Sequence, residues 1–195
     1  DEISINGIRK LTTQDQGYEL SFEAKSMIAK LGFNSSFVVS EDQVISKGYM
    51  VKIKPRFVKR DQSIDYNYNK KQITSLGRNS WGVEFDPIES PLDPMNAQIQ
   101  IRLNLLKGVN EFSLKLVEMK NGEIQDNFYK VIGSDLCVVG KIEYECTILK
   151  RNREKEGRET LYYLAPELDY MFLKIIDTSP EREQKLELIE ILSLG

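Results

Sequence analysis

The chain has 195 residues, 41% of them apolar and 29% charged, which is the composition of a protein that folds around a core and not of a disordered tail. Twenty-seven basic residues against thirty acidic ones give a formal charge of −3, so no global field draws the molecule toward nucleic acid, and no nucleic-acid partner is expected. The absence of histidine excludes Ser-His-Asp triads, Cys-His dyads and histidine metal sites, because each of these needs an imidazole.

The chain begins Asp1-Glu2-Ile3, which fits either removal of a secretory leader or trimming. Asn6-Gly7 supplies the positive φ values of a two-residue hairpin turn. Tyr18, Leu20, Phe22 and Ala24 then alternate with polar residues, the period of a half-buried strand. Ser26 to Leu31 fits a short helix or a bent strand equally well. Val51, Ile53, Pro55 and Phe57 alternate with Lys52, Lys54 and Arg56, so the three cations project from one strand face. That stripe is a candidate anion-binding site, and a lysine-rich strand is equally a device that protects a sheet edge from aggregation. Further on, Tyr66 and Tyr68 share one face of a polar strand and are the best candidates for exposed aromatic side chains, although a structural role as aromatics that stabilise the sheet is the stronger expectation.

Asp86-Pro87 reads as a strand exit. Asp93 then caps a helix with Pro94 at its first position, and Met95, Ile99, Leu103 and Leu106 recur at helical spacing before Gly108 ends it, which predicts an amphipathic helix over about 94–107. Period-two strands resume at Phe112, Leu114 and Leu116 and again at Ile142, Tyr144, Cys146 and Ile148, with Asn121-Gly122 and Gly140-Lys141 as turns. Cys137 and Cys146 flank the second of these turns; two small buried thiols are the expectation, with a disulfide open if their Cα atoms come close enough. The charged clusters Lys150–Arg158 and Pro180–Lys185 read as hairpin tips, and Asp169 as a turn residue.

The fold class expected is mainly β: one domain over 1–195, a single curved antiparallel sheet forming an open or half barrel with one amphipathic helix packed on it. No nucleophile elbow, phosphate loop, dinucleotide fingerprint or calcium-loop spacing occurs, so neither catalysis nor a cofactor is expected. No apolar run approaches the roughly 18 residues that span a bilayer, so the chain is expected not to be membrane-spanning.

A chain-long series of short motifs carries a family resemblance. They are Gly17-Tyr18-Glu19-Leu20-Ser21-Phe22-Glu23-Ala24, Lys54-Pro55-Arg56-Phe57, Val83-Glu84-Phe85-Asp86, Leu92-Asp93-Pro94 leading to Arg102, and Tyr163-Leu164-Ala165-Pro166-Glu167-Leu168-Asp169-Tyr170. In this order they resemble a bacterial envelope family catalogued as domain of unknown function 3108. Tyr163 stands where members often carry Trp, and Met171-Phe172 where Pro commonly follows the tyrosine. The resemblance implies an exported, periplasmic or envelope-associated protein built on an open antiparallel barrel, and it brings no reaction or cofactor with it.

Apolar strand faces outnumber the one helix available to cover them. The expected function is therefore the binding of an apolar or amphiphilic ligand (a lipid, an acyl chain or a lipidated partner) in the concave face of the sheet, with Met95, Ile99, Leu103, Leu106 and Tyr163 as lining residues. The alternative is a structural or interaction module that binds an envelope protein or glycan through a sheet edge or through Lys52, Lys54 and Arg56.

Overall fold

The structure is a computed structural model that describes residues 5–26, 29–55, 60–152 and 157–194. It divides the chain into two compact units, Asp1–Gln100 with Lys115–Gln125, and Ile101–Leu114 with Asp126–Gly195. Architecture is mainly antiparallel β, as expected.

In the first unit, β1 (Gly7–Gln14), β2 (Gly17–Lys25), β3 (Ala29–Ser40), β4 (Gln43–Pro55), β5 (Arg60–Asn67), β6 (Gln72–Gly77) and β7 (Trp81–Glu84) form a seven-stranded sheet in chain order. Each strand pairs with the one before it because tight reversals such as Asp15-Gln16 and Glu41-Asp42 leave no other neighbour in reach. Asn6-Gly7 is not such a turn: Gly7 opens β1 and pairs with Ala24. The Ser26 segment is not helical either, since the Ser26 N–H donates to the Ala29 carbonyl at 2.8 Å and Ala29 opens β3. Alternation holds in the strand interiors. In β5, Gln62, Ile64 and Tyr66 are buried while Ser63 and Asp65 face outward.

A 3-10 turn (Pro87–Glu89), capped by Asp86 Oδ1 accepting from the Ile88 N–H at 3.0 Å, leads into helix α1 (Ala97–Leu106). The helix starts later than 94 because Gln98 and Ile99 donate to carbonyls three residues back, which tightens the first turn. It ends as expected at Gly108 (φ +75), whose N–H donates to the Leu105 carbonyl while Val109 donates to Asn104, a Schellman closure. One apolar stripe does not describe it. Ala97, Gln100, Ile101 and Leu105 are buried along with Ile99, whereas Leu106 is 51% exposed. A helix covered on more than one side has no wet face to set the period.

In the second sheet, β8 (Glu111–Val117), β9 (Ile124–Val139), β10 (Ile142–Asn152), β11 (Glu159–Ala165), β12 (Met171–Ser179) and β13 (Arg182–Glu187) again lie in chain order. The single sheet of the sequence reading is thus two sheets, because the segment from Pro87 to Gly108 leaves the strand ladder and breaks the run of hairpins. Gly140-Lys141 forms the β9–β10 turn and Pro180-Glu181 the β12–β13 turn, as expected. The reversal at Asn121-Gly122 is wider than a two-residue hairpin: Glu118 and Glu123 close it, and Gly122 (φ +78) lies so near Trp81 that an added Cβ would stand 2.5 Å from the ring.

Cys137 and Cys146 form a disulfide with Cα atoms 6.0 Å apart, which replaces the expectation of two free thiols. The antiparallel register decides this: Cys137 pairs with Tyr144 and Cys146 with Asp135, a diagonal arrangement on the inward face. The bridge packs with Val139, Tyr144, Tyr163, Ala165 and Leu173 in the core of the second unit.

Candidate functional site

Besides the hydrogen-bonded pair Gln62 and Ser75, the inward face of the first sheet carries a polar spot where β3, β4 and β5 present Ser35, Ser46, Tyr49 and Tyr66, all buried. Asp93 meets this polar spot. Its side chain is 1% exposed; Oδ1 accepts from the Met95 and Asn96 N–H groups at 2.7 and 2.9 Å, and Oδ2 accepts from the Ser35 hydroxyl at 2.6 Å. Asn96 Oδ1 accepts in return from the Asp93 N–H at 3.0 Å, a reciprocal cap, and Asn96 Nδ2 donates to Ser46 Oγ at 2.9 Å. The Ser46 hydroxyl donates onward to the Pro91 carbonyl at 2.9 Å.

Burial pushes the Asp93 carboxyl up to about 7, against the pull of the three hydrogen bonds, and no cation is among the groups that act on it. The same burial, reinforced by Asp93, raises Tyr49 and Tyr66 well above the usual phenol range. The Tyr66 hydroxyl lies beside Ser46 without a hydrogen bond of good geometry. Tyr66 is therefore a core residue, and Tyr68 stacks edge-on against Phe85 at 5.2 Å, the structural role weighed above exposure for this pair. The cluster holds the start of α1 on the sheet. Nothing in it pairs a nucleophile with a base open to solvent.

Of the five residues expected to line a ligand site, two belong to the first unit and three to the second. Met95 and Ile99 are buried in the first unit; Leu103 is half-buried and Leu106 exposed in the second. Tyr163 packs on the disulfide cluster with Lys174 Nζ 3.9 Å from its ring centroid. A shallow depression of about 300 Å³ in the second unit, lined by Phe112, Phe128, Tyr129 and neighbouring polar residues, includes none of the five.

Sequence reasoning passed over one surface and named part of another. β9 carries a register shift opposite Ile148 and Leu149, so Phe128 lies on the same sheet face as Cys137 and Val139, whereas Leu136 and Val138, 63% and 62% exposed, lie on the other face with Tyr129. The run Leu136-Cys137-Val138-Val139, apolar on both faces, was the available signal. Glu143 and Glu145 stand opposite Val138 and Leu136 on β10.

The other surface is basic. Lys52 and Lys54 are exposed on one face of β4, as expected, whereas Arg56 lies outside the described residues. β4 is an internal strand between β3 and β5, so edge protection does not account for its lysines. Lys54 stands opposite Lys30, and Lys30 opposite Lys25.

The fold is similar to that of one solved structure, a β-barrel-like protein of domain of unknown function DUF1849 from Brucella abortus. The two share 8% identity over 94% of this chain and 88% of that one, with a TM-score of 0.54. No family model matches the chain. No curated protein matches it in sequence. At this identity the likeness concerns the fold alone, a β-barrel-like one. Among the described residues no helix is long and apolar enough to cross a membrane.

Proposed function

We propose that the chain is a non-catalytic protein exported to the cell envelope, periplasmic in a bacterial source, that binds an apolar or amphiphilic ligand such as a lipid, an acyl chain or a lipidated partner. Kinship with the family of domain of unknown function 3108 is part of this reading. The observation that carries it is the apolar pair Leu136 and Val138 on β9, 63% and 62% exposed on the sheet face opposite Cys137 and Val139, which the core fills. The contact surface is therefore assigned to β9 and not to the helix residues. Export is supported by the Cys137–Cys146 disulfide, since such bonds persist mainly in oxidising compartments.

Native mass spectrometry after mild extraction tests the reading. The wild-type chain should retain a lipid-sized adduct, and the double variant L136S/V138S should lose it while keeping its melting temperature, because both side chains are largely exposed. A wild-type chain that is always free of ligand, or a variant that retains the adduct unchanged, overturns the proposal.

A further inference from the structure

Register turns a one-strand stripe into a two-dimensional array. Lys25 on β2 pairs with Lys30 on β3, and Lys30 pairs with Lys54 on β4, so three exposed ammonium groups stand side by side across three adjacent strands. Lys52, two residues from Lys54 on the same face of β4, stands opposite Gly32, which contributes no side chain between it and Glu23 on β2. With strands about 4.8 Å apart and about 6.8 Å per two residues, the array spans about 10 Å by 7 Å. Glu23 and Asp61 flank it, but among the described residues no carboxylate forms an ion pair with Lys25, Lys30, Lys52 or Lys54.

The sheet gains nothing from this arrangement. Like charges directly opposite one another weaken a strand pair, and β2, β3 and β4 each lie between two other strands of the sheet. A sequence that tolerates the repulsion in a chain of net charge −3 concentrates its positive charge here against the global trend.

The form of the array indicates what it meets. Its described donors are lysines alone, mobile point charges without the fixed fork of an arginine. A single phosphate held in defined geometry needs converging donors; a spread of mobile cations on a sheet face suits a surface of mobile anions. We propose that Lys25, Lys30, Lys52 and Lys54 form a docking face for a bilayer bearing anionic phosphate headgroups. This proposal uses none of the residues of the apolar pair on β9 and stands whether or not that pair binds a ligand.

Co-sedimentation of the full chain with vesicles tests it, comparing phosphatidylcholine alone with phosphatidylcholine mixed with phosphatidylglycerol. The wild-type chain should sediment only with the anionic vesicles and be released by salt. The variant K25E/K30E/K54E should bind them about a hundredfold more weakly. K70E/K71E/K120E, which makes the same change of charge at other exposed turns, should bind as wild type does. Circular dichroism establishes that the variants fold, and K30Q alone, which relieves repulsion on both sides, should fold and still bind severalfold more weakly. Absence of binding to anionic vesicles, or an equal loss in the control variant, overturns the proposal. Calorimetric titration with inorganic tripolyphosphate covers a soluble source of the same chemistry: heat that depends on the three lysines, without vesicle binding, overturns the membrane assignment.

Discussion

Asp93 links the start of α1 to β3, and it does so as a carboxyl buried without a cation. Its pKa in the fold, about 7, lies above its ordinary value of 3.8, so the native state binds more protons than the unfolded chain between those values. Stability contributed by this group is complete below pH 4, falls as pH rises through the window and levels off above 7, by a total on the order of a few kcal/mol. Urea unfolding of D93N across this range should show a flatter profile than wild type, because an amide still accepts from the Met95 and Asn96 N–H groups but does not titrate. An unchanged slope would show that another group carries it. The Asp-Pro pair made the cap legible; the burial was not, because Ser35 comes from 58 positions away and only tertiary packing brings its hydroxyl to Oδ2.

At the scale of elements, strands were legible wherever one face is wet, as in β2 and β5, because contrast between faces is what period two records. The helix was legible by its ends, Asp93-Pro94 and Gly108, and not by its faces. Met95, Ile99, Leu103 and Leu106 satisfy a helical spacing, yet Ile101 and Leu105 are the residues almost wholly enclosed. I101A and L105A should each cost about 2–5 kcal/mol in chemical denaturation. L106A should cost less than about 1 kcal/mol, since half of that side chain is already in water. Equal losses at Leu105 and Leu106 would restore the single stripe. The basic patch was half legible: alternation placed Lys52 and Lys54 on one face, but Lys25 and Lys30 join them only through register.

For the molecule as a whole, the Cys137–Cys146 bridge is the feature that ties structure to compartment. Protein recovered from its native location and denatured without reductant should show no reactive thiol, and two after reduction. Closing a loop with a sequence separation of 9 should stabilise the fold by about 3 kcal/mol, so C137S/C146S should unfold at correspondingly lower denaturant. Two reactive thiols in the native protein would remove this support for export. The antiparallel β class, most hairpin turns, the helix ends and the Asp93 cap follow from residues near one another in the chain, since turn chemistry and side-chain period are local properties. Division into two sheets, the disulfide, the buried Asp93 cluster and the lysine array follow from strand register and burial. These bring together residues distant in sequence, and no local pattern encodes that pairing.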